Sequence, residues 1–163
     1  AVARCVDALV AAGHRAVAAH AFERRDEHGH PRRDAGAFAD FIALGEAAGL
    51  GARSRLRLLV HPVYGPWLAV RSIVATSARL SPTRPDPGFA PCEGCAAPCR
   101  DACPADALAR GPLDTTRCLA ERRAGGPCAL HCAARRACVL GREHAHPAEL
   151  ERHFMRSSLR ILL

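Results

Sequence analysis

The sequence predicts an α+β chain, a small α/β portion followed by a cysteine-rich domain and a closing helix. Three observations carry that expectation. Eight of the nine cysteines lie between Cys92 and Cys138. The first 80 residues alternate between helix-like and strand-like apolar spacing. Residues 81–88, SPTRPDPG, hold three prolines and read as extended connecting chain. The expected organisation is an α/β portion over residues 1–80, a cysteine domain over 89–141 and a terminal helix within 142–163.

Length and composition allow this. A chain of 163 residues is long enough to bury about two-thirds of its unfolded surface. Apolar residues make up 49% and charged ones 24%, a globular balance. Aromatics are only 4%, so the core must rest on Ala, Leu and Val. The formal charge is +7, and all 23 basic residues are Arg. Apolar runs such as residues 8–12 are too short to span a bilayer. No basic, apolar and cleavage-site succession marks export, so a cytoplasmic setting is expected, with no membrane partner. There, dense cysteine points to metal or redox chemistry before a disulfide framework.

The elements follow in order. Val2, Val6, Leu9 and Val10 share one helical face, and Gly13 is a stop. Residues 16–19 read as a short strand. Residues 23–34 are polar, with Gly29 and Pro31, and predict an exposed loop; His20, His28 and His30 belong to solvent there. A helix is expected over 35–48, with Phe38, Phe41 and Ile42 on one stripe and Gly49 at its end. The stripe's next position is Gly45, which adds no apolar side chain. Residues 56–60 and 68–76 read as strands, the second the richer in Val and Ile. A final amphipathic helix begins at Pro147, with Leu150, Phe154 and Leu159 on its buried side.

The cysteines carry the chemistry. Residues 92–104 read CEGCAAPCRDACP. The bacterial two-cluster ferredoxin run is C-x₂-C-x₂-C-x₃-C-P, whose fourth Cys ligates the other cluster. Here the middle gap is one residue longer and holds Pro98, while the final x₃-C-P is intact. Crossed ligation assigns Cys92, Cys95, Cys99 and Cys138 to one [4Fe–4S] cluster. It assigns Cys103, Cys118, Cys128 and Cys132 to a second. The cysteine domain is thus expected to be bacterial-ferredoxin-like. The second quartet is less regular, since Val139 and not Pro follows Cys138. Zinc is the competing metal: Cys92 and Cys95 have knuckle spacing, and His131, His144 and His146 offer nitrogen ligands. Two anionic clusters would lower the charge to roughly +3. Arg100, Arg117, Arg122, Arg123, Arg135 and Arg136 either offset them or form a solvated face. Cys5 stands outside both sets, as an inert thiol or a cross-linking one.

Residues 46–80 carry a family resemblance. Ala48-Gly49-Leu50-Gly51, Pro62-Val63-Tyr64-Gly65 and Val74-Ala75-Thr76 resemble the core segment preceding the clusters in epoxyqueuosine reductases and reductive dehalogenases. That resemblance implies a corrinoid beside two [4Fe–4S] clusters, reductive chemistry on the corrinoid, and His61 and Tyr64 as cofactor-binding residues. It also has departures. Residues 52–55 are Ala-Arg-Ser-Arg where those families tend to Trp-Ile-Gly-Lys, and Val63 stands where they have Glu. No proton donor is assigned, and the substrate is not carried over.

Two functional classes are expected from this. One is an iron–sulfur electron-transfer protein or subunit, passing single electrons through two clusters to a redox partner protein. If it is an enzyme, it is an oxidoreductase of the epoxyqueuosine reductase or dehalogenase type. A second copy or a partner chain would complete its cofactor pocket. The other is a metal-stabilised structural or partner-binding module without turnover. Arg53, Arg55 and Arg57 alternate, which on a strand gives one face for a phosphate or acidic partner, or simply a wet edge. Trp67 reads as a core anchor. The charge permits phosphate attraction, but no dense Arg block interleaved with aromatics argues for nucleic acid.

Overall fold

The computed structural model describes residues 1–20 and 40–161, with side chains through residue 158. The expected loop at 23–34, with His28 and His30, and the beginning of the second helix, with Phe38, lie outside those residues. So does the side chain of Leu159.

The N-terminal helix α1 spans Val2–Ala11. Val2, Val6 and Leu9 are its half-buried face, while Val10 turns outward. It ends in a paired stop: Gly13 N donates to Val10 O and His14 N to Leu9 O, with Gly13 at φ +84°. These two bonds satisfy carbonyls that the helix leaves open. Strand β1, Ala16–His20, follows and pairs antiparallel with β4, Ser72–Thr76. The register sets Ala16 opposite Thr76 and His20 opposite Ser72. A side-chain bond joins His20 Nδ1 and Ser72 Oγ at 2.7 Å across that last pair.

Helix α2 spans Phe41–Ala47. Asp40 caps it, accepting from the Ile42 and Ala43 amides at 3.0 Å each. Gly45 is buried in this helix, and a methyl there would sit 2.8 Å from a Leu59 methyl carbon. The gap in the apolar stripe is therefore a close-packing point against the next strand. Strands β2, Ala52–Arg53, and β3, Leu59–Val60, form a second antiparallel pair.

Two strand expectations are shortened. Residues 54–58 turn instead of extending: Ser54 Oγ donates to Leu58 O at 2.9 Å, and Arg57 adopts φ +55°. The turn sends Leu56 inward to meet Leu108 and Ala134. The fourth strand begins only at Ser72, and residues 68–71 are irregular.

The cysteine region is built from short helices. These are α3, Pro98–Asp101; α4, Thr115–Arg123; a 3₁₀ turn, Pro127–Ala129; and α5, Ala133–Arg136. Residues 89–141 contain no strand. That corrects the ferredoxin-like expectation: the fold is mixed α/β with two small two-stranded sheets, and the cysteine region has no sheet of its own. The physical reason is local. Pro98, Asp114 and Pro127 each open a helical turn, as helix N1 residue, N-cap and 3₁₀ N1 residue respectively, so the chain between the cysteines coils.

The two regions share one core. Leu56, Leu108 and Ala134 are buried together, with Leu58, Leu113, Cys99, Cys103 and Cys132 packed around them. Backbone bonds cross between the regions, with Leu113 N donating to Arg55 O at 2.9 Å. After a 3₁₀ turn at Arg142–His144, helix α6 spans Ala148–Ile161. Its inner face differs from the expected one. Leu150 is exposed, Phe154 and Met155 are half-buried, and Glu151 is the residue fully enclosed, at 1% exposure. No helix among the described residues is long and apolar enough to cross a membrane.

Candidate functional site

The structure distributes eight thiols around two cavities. Cys92 and Cys95 lie in turns, Cys99 on α3, and Cys138 just after α5. These four line a small cavity of about 30 Å³ together with Leu56 and Val60. Cys103 follows α3, Cys118 lies on α4, Cys128 in the 3₁₀ turn, and Cys132 caps α5. They line a larger cavity of about 470 Å³ that extends to α6. Cys5 is exposed on α1, away from both.

All nine cysteines are free thiols. Two sulfurs accept backbone bonds, Cys95 from Ala97 N and Cys132 from Arg135 N, each at 3.4 Å. Burial dominates the acidity of Cys99, Cys118, Cys128 and Cys132. It pushes the Cys128 thiol up to about 11, assisted by Cys132, Cys103, Cys118 and Glu121. Burial likewise raises Cys118, against the pull of Arg122, and raises Cys132 despite the Arg135 amide. In the small cavity burial raises the Cys99 thiol, and the nearby sulfurs of Cys92, Cys138 and Cys95 add to that rise. An apolar wall disfavours the charged form, so these groups hold their protons at neutral pH.

This arrangement corrects the metal expectation. Among the described residues, no three Cys, His, Asp or Glu side chains are grouped so as to hold a metal ion. That overturns the two [4Fe–4S] clusters, electron transport through them and the metal-stabilised alternative. Two of the histidines weighed for zinc pack against aromatic rings. His144 packs edge-on to Tyr64 at 4.9 Å, and His146 lies between Trp67 and Phe154, 5.3 Å from each ring.

His61 and Tyr64 form a half-exposed ring pair beside this framework. His61 Nδ1 accepts from Val63 N at 3.0 Å and Tyr64 N at 3.2 Å, which closes the turn. The two rings lie 4.8 Å apart, and Tyr64 is 44% exposed. Neither residue lines either thiol cavity. The turn is pinned where Gly65 meets the backbone at Leu140 and Gly141 meets that at Tyr64.

The alternating arginines do not form one face. Arg53 pairs with Asp40 at 2.7 Å and with Glu46 at 3.3 Å. Arg55 reaches Cys92 O at 3.1 Å, and Arg57 takes the left-handed turn position. Arg135, expected either to offset cluster charge or to lie on a solvated face, donates to Pro66 O at 3.0 and 2.6 Å and lies 4.4 Å over Trp67. Trp67 is buried, in keeping with an anchor. Glu151 was missed altogether. It accepts from Cys132 N at 3.0 Å and from Arg136 Nε at 2.7 Å. A lone Glu on a helix with an apolar face gives no sequence signal for burial.

The fold places the molecule among known structures. No family model matches the sequence, and no curated protein matches it. Three solved structures do match in shape. A selenomethionine-labelled epoxyqueuosine reductase superposes with a TM-score of 0.63 at 18% identity, covering 93% of this chain and 40% of that one. An epoxyqueuosine reductase from Bacillus subtilis gives 0.58 at 17%, covering 92% and 39%. One bound to an epoxyqueuosine-modified tRNA stem loop gives 0.61 at 17%, covering 92% and 40%. The chain thus has the mixed α/β fold of a substantial piece of a reductase. In particular, its fold is similar to that of the epoxyqueuosine reductases, and the chain spans about 40% of their length.

Proposed function

We propose that this chain is part of an oxidoreductase of the epoxyqueuosine reductase kind. The observation that carries the reading is the fold match over 93% of the chain. Because the match spans about 40% of those reductases, the reading assigns the rest of the substrate pocket to further polypeptide. Reducing equivalents come from a redox partner protein.

Within this reading, His61 and Tyr64 contact the bound group. Their rings are 4.8 Å apart and tilted by 34°, half-exposed and fixed by the His61 Nδ1 bonds, so they offer aromatic surface to a ligand. Docking of RNA is assigned to the completing polypeptide; in this chain Arg53, Arg55 and Arg135 are engaged with Asp40, Glu46, Cys92 O and Pro66 O.

The reaction to assay is removal of an epoxide oxygen, which consumes two electrons and two protons and releases water. The protein, isolated with whatever polypeptide co-purifies, is given an epoxyqueuosine-bearing stem loop and a low-potential electron donor. Loss of one oxygen mass from the modified nucleoside is the expected result. Retention of the epoxide under those conditions, with a known reductase active in parallel, overturns the reading.

A further inference from the structure

Among the described residues, none in α1, β1 or β4 is buried. Yet the unit they form is apolar. Val2, Val6 and Leu9 of α1 are only half covered, and Val10 is 54% exposed. The strands read Ala-Val-Ala-Ala-His and Ser-Ile-Val-Ala-Thr, without Asp, Glu or Arg. A lone two-stranded pair is marginal in water, and a helix on one side covers only one of its faces.

The register shows which face is open. Val17 lies opposite Ala75, and Ala19 opposite Ile73. Side chains alternate along a strand, so these four share one face. Val17 is 64% exposed and Ala75 is exposed too, which places α1, packed against both strands, over the other face. The open face is therefore uncharged. Its two alanines leave room for large side chains from a covering element.

Size and extent choose the occupant. Strand rise and spacing make the face about 17 Å by 10 Å, so a second copy seated on it would bury roughly 170 Å² a side. A stable interface needs about 800 Å² a side, so a dimer through this face alone does not hold. By contrast, 93% of this chain superposes on a reductase of which it covers only 40%. The larger part of that reductase lies outside the match. A polypeptide of that extent can spread its contact beyond the face, onto α1 and the strand edges.

We infer that the open face of the β1–β4 pair is where the further polypeptide docks, through an amphipathic helix whose apolar stripe lies across Val17, Ala19, Ile73 and Ala75. This rests on the reductase reading for the existence of that polypeptide and assigns the place where it meets this chain.

Hydrogen exchange read by mass spectrometry tests this on two samples. One is the 163-residue chain produced alone; the other is the same chain isolated from its source cells with the polypeptide that accompanies it. Exchange at the amides of residues 17–19 and 73–75 should be at least about tenfold slower in the second sample. Val17→Arg should abolish that protection and leave the melting temperature of the chain alone unchanged, because Val17 is exposed there. Equal exchange in the two samples overturns the inference, as does protection that survives Val17→Arg. So does sedimentation showing that the protecting polypeptide is a second copy. A lowered melting temperature of the variant alone means that the chain covers its own face, and overturns it too. Epoxide reduction is read separately. Protection without reduction overturns the reductase reading and leaves the docking face standing, while reduction without protection overturns the docking face alone.

Discussion

Glu151 on the last helix accepts a hydrogen bond from the backbone amide of Cys132 at 3.0 Å. Its second carboxylate oxygen takes Arg136 Nε at 2.7 Å. One buried acid thus ties α6 to both ends of α5, and so to the wall of the larger cavity. Among the described residues, the buried charged side chains are Glu151 and Arg122.

Removing that acid should loosen the wall. Glu151→Ala leaves the Cys132 amide and Arg136 without their acceptor, at a cost of about 3 kcal/mol. Urea denaturation followed by circular dichroism reads this directly. Glu151→Gln should lose less, since its amide oxygen still accepts from Cys132 N. Equal losses for the two variants would mean the charge on Arg136 matters and the backbone bond does not.

The backbone crossing at Gly65 and Gly141 makes a second prediction. Gly65 has φ +54°, and a methyl there would lie 2.2 Å from Leu140 O. Gly65→Ala should destabilise by at least about 3 kcal/mol or abolish folding. Gly94 has φ +67° but open space around it, so Gly94→Ala should cost only about 1 kcal/mol. Comparable losses at the two sites would show that strain, and not the crossing, sets the cost.

The buried thiol of Cys128 predicts an alkaline weakness. In the fold it keeps its proton to about 11, against 9.0 for an ordinary thiol. The folded state then binds a proton that the unfolded chain releases, so stability falls as pH rises between those values. Below about 9 that contribution is fully present. The urea midpoint should decline from pH 9 toward pH 11, and Cys128→Ser, which does not titrate there, should flatten the decline. An identical slope in the variant would place the loss on other groups.

Arg135 offers the simplest optical test. Trp67 is the single tryptophan, and the guanidinium lies 4.4 Å over it while donating twice to Pro66 O. Arg135→Lys cannot reproduce the planar stack or the double donation. It should cost about 1–2 kcal/mol and shift the Trp67 emission. Unchanged emission with full stability would show that the stack contributes nothing.

Much of the local structure was legible in the residues. Gly13 and Gly49 end their helices, because only a residue at ease with positive φ closes such a stop: Gly13 N donates to Val10 O, and Gly49 N to Glu46 O. The prolines of residues 81–88 mark extended chain without helix or strand. The resemblance carried by residues 46–80 agrees with the fold match to epoxyqueuosine reductases. Cysteine spacing, by contrast, was read as cluster ligation, and no metal-holding group stands among the described residues. Spacing reports which thiols share a short loop; whether they converge or spread around a wall depends on the helices between them.

What the sequence by itself determined were the features set within a few residues: helix stops and the strands within Ala16–His20 and Ser72–Thr76. Only the tertiary structure decided that Leu56 turns inward, that Glu151 is enclosed, and that Arg122 and His146 line one cavity. Caps and turns are satisfied by neighbours along the chain, so their signals are local. The burial of an acid or a guanidinium is settled by partners 19 or 36 residues away, as Cys132 is for Glu151 and Ser158 for Arg122, and no local pattern encodes that distance.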